Sequence, residues 1–393
     1  MFCYNVNMYI NRQAEKILKN SLKSKKISII LGARQVGKTT LVKYVLRNKD
    51  SVYFNLDINV DKQRLVSVSS LDPEKAIQVL GNKKYIVIDE AQRLADIGRI
   101  VKGWYDAGVK TKIVLLGSSS LDLLNKSSES LTGRNEKIYL MPFMFNEVIK
   151  SQSWYSSNLS KKNIEKNFSS QIQELLMQSI VFGGYPETTV VSEKKLYLLN
   201  LTSDYLFKDV LQLGLIKTPD LIKQLLALLA HQVGSEVSVN ELSKNLSLSR
   251  QTIERYIELL EETFVIFRLP AFSTNQRKEI AKSKKIYFWD TGVRNAVLNE
   301  FSLNPLRSDI GALWENWVIS EFAKQNMLYG QKRNLYFWRS RIGSEVDLII
   351  KEDGKLRAYE IKWRKQKILK KAFTNKYGVE VKLIESSHPI INI

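Results

Sequence analysis

The run Gly32-Ala33-Arg34-Gln35-Val36-Gly37-Lys38-Thr39 has the residue types and spacing that a polyphosphate site needs. Two glycines with four residues between them let the backbone curl until successive N–H groups face phosphate oxygens. Lys38 then reaches the β- and γ-phosphates, and the Thr39 hydroxyl holds Mg²⁺. Thr40 and the residues to Leu46 continue as a helix whose N-terminal dipole favours the anion. A pair of acids, Asp89 and Glu90, follows the apolar run Tyr85-Ile86-Val87-Ile88. Asp89 suits the Mg²⁺ shell, and Glu90 suits the orientation and activation of an attacking water. A hydroxyl from Ser118, Ser119 or Ser120 can hydrogen-bond the γ-phosphate or that water, although serines so placed are also ordinary turn residues. No guanine-reading Asn-Lys-x-Asp segment is present, so the expected nucleotide is ATP.

The C-terminal region carries a different chemistry. Asp347 and Glu360 lie on two runs, Gly343 to Ile350 and Lys355 to Trp363, that flank Asp353-Gly354. Asp-Gly is the signature of a two-residue type I′ hairpin turn, and with it at the tip Asp347 falls opposite Glu360. Period-2 geometry puts Lys362 on the same face as Glu360. Two carboxylates about 5 Å apart across a ladder repel each other. A divalent cation relieves that repulsion, and Lys362 then stabilises a pentavalent phosphate or orients a water. A solvent-facing acidic hairpin would spell the same letters with no chemistry.

These residues need elements to position them. Ile27 to Leu31, Tyr85 to Ile88 and Lys112 to Leu116 are short continuous apolar runs, as expected of parallel strands covered on both faces. Ligands of open α/β sheets bind at the carboxyl ends of such strands, where all three motifs lie. A nucleotide-binding α/β domain is therefore expected over residues 1–150. The polar stretch Ser151 to Asn163 reads as a linker into helices around Ile164 to Gly183 and Leu196 to Leu213, a helical lid over residues 151–215. Residues 216–290 read as a winged helix-turn-helix. Its parts are a short helix from Ser238 to Asn245, a turn at Leu246-Ser247-Leu248 and a longer helix capped by Ser249 and ending at Glu262. Phe264 to Leu269 and Lys285 to Phe288 supply the wing. The recognition-type helix offers Arg250, Gln251 and Arg255 but also Glu254, Glu258, Glu261 and Glu262, so packing within the protein and contact with DNA stand as equal readings. Residues 291–393 complete the chain as a second α/β domain built on the hairpin.

In this order the first three motifs resemble those of the AAA+ ATPases, with Asp89-Glu90 as Walker B and Ser118 to Ser120 near sensor 1. Leu131-Thr132-Gly133-Arg134, Tyr139-Leu140-Met141-Pro142-Phe143 and Gly183-Gly184-Tyr185-Pro186 extend the resemblance over most of the chain, to a group of prokaryotic ATPases with a nuclease-like C-terminal domain. The resemblance implies that Pro186 packs on the adenine. It also implies an arginine finger at Arg134, acting in cis or, in a homo-oligomer, in trans; a solvated arginine after a glycine turn is the equal alternative. The hairpin with an upstream helical glutamate is similar to the PD-(D/E)xK nucleases, particularly their junction-resolving branch, with Val346 where the first proline would stand. That similarity implies a third metal ligand, Glu315, on a helix expected from Ile310 to Lys324. Spacing puts Glu315 on one face with Gly311, Val318, Ile319 and Phe322. Nuclease folds also serve binding alone, so cleavage and silent binding both stand.

Composition bounds the rest. A chain of 393 residues, 44% hydrophobic, can build two or three cores. Cys3 is the only cysteine and His231 and His388 the only histidines, which excludes an internal disulfide and Cys- or His-rich metal sites. The densest apolar run, Leu221 to Ala230, is interrupted by Lys223 and Gln224 and is too short to span a bilayer. No signal-type run opens the sequence, so a cytoplasmic location without membrane partners is expected. Lys and Arg number 60 against 40 Asp and Glu, a net +20 that suits a polyanion. Lysine-rich usage in an AT-rich genome would raise the charge without building a site. Clustering of Lys282, Lys284 and Lys285, and of Lys362, Arg364, Lys365, Lys367, Lys370 and Lys371 with Trp363 and Phe373 interleaved, makes DNA the expected partner. Two functions of different class follow. One is an ATP-hydrolysing AAA+ protein that remodels DNA, branched DNA included, in concert with a Mg²⁺-dependent nuclease-like domain. The other is a signalling-type ATPase switch with a silent C-terminal binding domain.

Overall fold

The apolar runs of the N-terminal half become one parallel sheet. In the computed structural model, which describes residues 9–118, 131–206, 219–273, 284–340, 343–366 and 370–389, the chain divides into two units, Met1–Met141 and Pro142–Ile393. The first unit holds β1 (Ile27–Leu31), β2 (Ser51–Asn55), β3 (Tyr85–Asp89), β4 (Lys112–Gly117) and β5 (Asn135–Tyr139) in the order β2-β3-β4-β1-β5. All four pairings are parallel. β1 and β4 are buried along their whole length, which is why their sequences show no alternation. The helices are α1 (Ala14–Ser21), α2 (Lys38–Leu46), α3 (Asn59–Val68), α4 (Pro73–Val79) and α5 (Ile97–Asp106). Because β4 lies between β1 and β3, three strand ends come together: Leu31, Asp89 and Gly117. The opposite end of the sheet is tied by Lys112, whose buried ammonium donates to the carbonyls of Ser21, Ser24 and Lys26. Burial lowers its pKa to about 8.

The second unit begins with α6 (Phe145–Lys150), α7 (Lys161–Asn167), α8 (Ser169–Phe182) and α9 (Lys194–Asn200). Next come α10 (Pro219–His231), α11 (Val239–Leu246) and α12 (Arg250–Glu262), then β6 (Ile266–Pro270) and β7 (Lys284–Phe288). Ser238 and Ser249 cap α11 and α12, each hydroxyl accepting a backbone N–H from the first turn. β6 and β7 are antiparallel, Ile266 facing Phe288, and a bridge from Glu236 to Lys285 adds a third short partner. After α13 (Thr291–Leu298) and α14 (Ile310–Leu328) come β8 (Asn334–Arg339), β9 (Glu345–Glu352), β10 (Lys355–Lys362), α15 (Lys371–Tyr377) and β11 (Val381–Glu385). The sheet order is β11-β10-β9-β8. Asp353 and Gly354 both have positive φ, 48° and 78°, the signature of the type I′ turn.

Helix α14 runs through the interior of this unit. The Asn316 amide pairs with both the N–H and the C=O of Phe288, Glu321 accepts from Phe145 N–H, and Trp317 Nε1 donates to Ser179 Oγ. One helix thus ties the α6–α8 segment, the β6–β7 pair and the C-terminal sheet into a shared interior. No helix among the described residues is long and apolar enough to cross a membrane.

Candidate functional site

The loop from Gly32 to Gly37 is the connection between β1 and α2. Gly37 has φ 90°, which glycine alone adopts freely, and a Cβ on Gly32 would fall 1.9 Å from the Leu140 carbonyl oxygen. Ala33 and Val36 are buried, Arg34 is half-buried, and Gln35 and Thr40 are exposed. The Val36 carbonyl accepts from the buried Arg12 guanidinium (3.0 Å), which also donates to the Met141 carbonyl (2.6 Å). Lys38, only 6% exposed, donates Nζ to the carbonyls of Gly32 (2.9 Å) and Ala33 (2.8 Å). Thr39 Oγ1 donates to Asp89 Oδ2 at 2.5 Å. A hydroxyl and a carboxylate converging at a strand end form the hard-oxygen donor set that suits Mg²⁺.

Glu90 follows Asp89 in a left-handed conformation, φ 51°, that a bulky residue holds only at an energetic cost. Burial pushes its carboxyl above the usual range, against the opposing pull of Lys38 and Arg34. Ser118 is buried at the end of β4. Gln92 connects the two, its Nε2 donating to Glu90 Oε2 (2.5 Å) and to Ser118 Oγ (2.9 Å). Ser119 and Ser120 lie outside the described residues. Neither Gln92 nor Arg12 belongs to a motif that sequence reasoning picks out; an arginine buried between two carbonyls leaves no trace in spacing.

In the hairpin, β9 and β10 pair in the expected register, from Lys355 with Glu352 to Tyr359 with Leu348. Asp347 and Glu360, each one position beyond the last paired residues, are 5% and 4% exposed. Lys362 Nζ lies 3.1 Å from Asp347 Oδ2 and 2.8 Å from Glu360 Oε1, and Lys370 Nζ is 2.9 Å from the same Glu360 oxygen. Asp347 Oδ2 also accepts from Ile361 N–H at 2.8 Å. Burial pulls the Lys362 pKa down, but Asp347 and Glu360 outweigh it and leave the ammonium firmly charged. The expected repulsion between the acids is therefore relieved by lysines. That corrects the argument that the pair requires a metal. Glu360 Oε2 is nevertheless buried without a hydrogen-bond partner, an unused acceptor that fits a hard cation shared with Asp347.

Glu315 does not complete a three-carboxylate cage. It accepts from Tyr287 Oη (2.6 Å) and Lys285 Nζ (3.2 Å), and Lys285 also pairs with Glu345. Burial pushes Glu315 up to about 7. Among the described residues no three acidic, histidine or cysteine side chains are grouped to hold a metal ion. Gly311, expected on the inward face, is exposed. The basic clusters need correction too. Lys285 is 2% exposed and neutralised by Glu315 and Glu345, while Lys362 and Lys370 are committed to the hairpin acids. Phe373 is part of the C-terminal core, and Trp363 meets Trp314 edge-on. Lys284, Arg364, Lys365 and Lys371 are exposed; Lys282 and Lys367 lie outside the described residues.

A family profile described as an AAA domain matches residues 24–149. Those residues are similar to an AAA domain, and their parallel sheet and phosphate loop fit a P-loop ATPase core. Two further profiles, each described as a domain of unknown function, match residues 173–304 (DUF8612) and 310–389 (DUF4143). The chain is 28% identical over 357 residues to an uncharacterized protein of Mycobacterium tuberculosis, covering 89% of this chain and 73% of the relative. An uncharacterized protein of Methanocaldococcus jannaschii is 28% identical over 364 residues, 88% of this chain and 76% of the relative. Among solved structures, a Walker-type ATPase of Pyrococcus abyssi gives a TM-score of 0.49 at 14% identity, over 75% of this chain and 97% of that one. The ORC1 protein of Aeropyrum pernix in complex with DNA gives 0.34 at 13% identity, over 74% and 93%.

Within the AAA-type domain, Arg134 sits at the wrong end of the sheet to serve its own phosphate loop. Its carbonyl accepts from Ile27 N–H, where β1 begins, whereas the loop follows the end of β1. At about 3.3 Å per residue the strand separates the two by roughly 15 Å. The guanidinium pairs with both Asp106 oxygens, at 2.6 and 3.2 Å. Of the two settings left open for an arginine finger, this placement speaks against cis, and the pairing with Asp106 equally fits a solvated arginine. Pro186 belongs to the second unit, where it opens the short turn Pro186–Thr189. The glycine before Tyr185 has its own structural explanation: Gly184 N–H donates to Asp290 Oδ2 and its carbonyl accepts from Phe143 N–H, both at 2.7 Å.

Proposed function

We propose that the chain binds and hydrolyses ATP at Lys38, Thr39, Asp89 and Glu90 and uses this cycle to remodel DNA, branched DNA included, through its second unit. The observation that carries the reading is the 2.5 Å hydrogen bond of Thr39 to Asp89, beside the buried Lys38 and the Glu90 carboxyl. Lys38 exchanges the Gly32 and Ala33 carbonyls for β- and γ-phosphate oxygens. Thr39 and Asp89 would hold Mg²⁺, which when bound offsets the phosphate charge. Glu90 takes a proton as water attacks the γ-phosphorus and the bond to ADP breaks. Ser118 donates to a γ-phosphate oxygen. Arg134, half-buried at the far end of the sheet, is proposed to act only on a neighbouring copy.

In the second unit, residues 151–215 are the proposed lid, 216–290 a winged helix and 291–393 a nuclease-like domain. Asp347 and Glu360 would hold Mg²⁺ there, with Lys362 turned to the DNA phosphate. One observation favours a second reading, the signalling-type switch with a silent C-terminal domain. The acids of α12 engage basic side chains of the protein itself, as in Arg255–Glu258 and Arg268–Glu254, both 3.3 Å. An ATPase assay of the full chain with single-stranded, duplex and branched DNA separates the two. Stimulation by DNA supports remodelling; turnover that depends on Lys38 but ignores every DNA supports the switch.

A further inference from the structure

One side chain outside the proposed catalytic set joins two of its members. Gln92 lies in the turn Ala91–Arg93 that follows β3, and its Nε2 spans from Glu90 Oε2 to Ser118 Oγ. β3 and β4 are neighbours, so this amide bridges two adjacent strand ends. An ionised carboxylate only accepts, which requires the nitrogen rather than the oxygen of Gln92 to face Glu90. The amide orientation is thereby fixed, and it leaves Gln92 Oε1 buried with no hydrogen-bond partner. A buried acceptor without a donor is unfavourable unless the working state supplies one. Water bound for attack is such a donor.

Resting on the ATPase reading above, we propose that Gln92 is a positioning residue for hydrolysis, linking Ser118 to Glu90 through Nε2 and accepting from the attacking water through Oε1. Ser118 receives the Gln92 N–H and keeps its own proton to give to a γ-phosphate oxygen. Glu90 is held by the same amide in the orientation from which it takes the water's second proton. Occupancy of the γ-phosphate position is thus read at Ser118 and transmitted to the base along one hydrogen-bonded line. With ADP bound that acceptor is absent, and the line ends at Ser118.

The test uses the full chain with ATP and Mg²⁺ in steady-state and single-turnover assays. Gln92→Ala should lower kcat roughly tenfold to a hundredfold, the loss expected of one hydrogen bond to a charged group. KM for ATP and affinity for a non-hydrolysable ATP analogue should stay within about twofold, because the residue does not touch the nucleotide. Ser118→Ala should also lower kcat, and the double variant should be no slower than the slower single variant, since both break one line. Gln92→Glu, which keeps the side-chain shape but loses the donor, should be as slow as the alanine variant and serves if the latter folds poorly. Wild-type kcat in both Gln92 variants, losses that multiply in the double variant, or a loss of analogue affinity matching that of kcat would each overturn the proposal. The two readings fail separately. Absence of Lys38-dependent turnover in the wild type rejects the ATPase site; Lys38- and Glu90-dependent turnover with unaffected Gln92 variants rejects only the relay.

Discussion

The phosphate loop and the C-terminal hairpin both gather oxygen ligands suited to a cation, yet they balance charge by different means. At the loop, Lys38 rests on two backbone carbonyls, and Thr39 is paired with Asp89. At the hairpin, Asp347 and Glu360 share the ammonium of Lys362, and Glu360 adds Lys370. Neutral carbonyls can surrender an ammonium to a phosphate and find water instead. Withdrawing Lys362 from two buried carboxylates strands like charges in a low-dielectric interior. The first site is therefore poised to receive a ligand, while the second must exchange one cation for another.

The comparison breaks most sharply at Lys38. Lys38→Ala should reduce ATP binding and turnover to background in a nucleotide titration; retained binding would mean that the loop lysine is not the phosphate ligand. At the hairpin, Lys362→Met should destabilise the full chain by about 3 kcal/mol, since removing one member of a buried pair leaves its partners uncompensated. This is the lower end of the roughly 3 to 5 kcal/mol for breaking a buried pair, because the Lys362 side chain keeps 33% of its surface exposed and Lys370 still faces Glu360. Mn²⁺ should restore part of the loss, read as a shift in denaturant midpoint. An unchanged midpoint would remove the contrast between the sites. A smaller effect is expected at the surface. Arg364→Ala with Lys365→Ala should lower the slope of log DNA affinity against log salt by at most about 0.9 for each phosphate that is no longer neutralised. An unaltered slope would mark these exposed residues as solvated surface only.

Much of this was legible in the chain. The hairpin register followed from Asp353-Gly354, because a two-residue turn leaves one way to pair the strands. Ser238 and Ser249 announced their helices by cap chemistry that acts over three residues. What escaped was set by partners distant in sequence. Lys285 reads as one of a basic trio, but its partners Glu315 and Glu345 arrive from α14 and β9. Gln92 follows the left-handed Glu90, and its bond to Ser118 joins residues 26 apart in sequence. Arg134 did carry a usable signal. It precedes its strand, whereas the ligands of a parallel sheet gather where strands end.

Glu90 joins the two halves of the ATPase account, since it is half-buried yet charged in function. Its carboxyl is raised by burial, and a base must be ionised to take a proton. Activity should therefore be lost, as pH falls, above the range of an ordinary glutamate, and Glu90→Gln should abolish that acid limb along with most turnover. The most direct test of the central claim is ATP binding and single-turnover hydrolysis by Glu90→Gln beside the wild type. The account predicts binding at wild-type affinity with hydrolysis slowed about 10²- to 10⁴-fold. Near-normal hydrolysis by Glu90→Gln would contradict it.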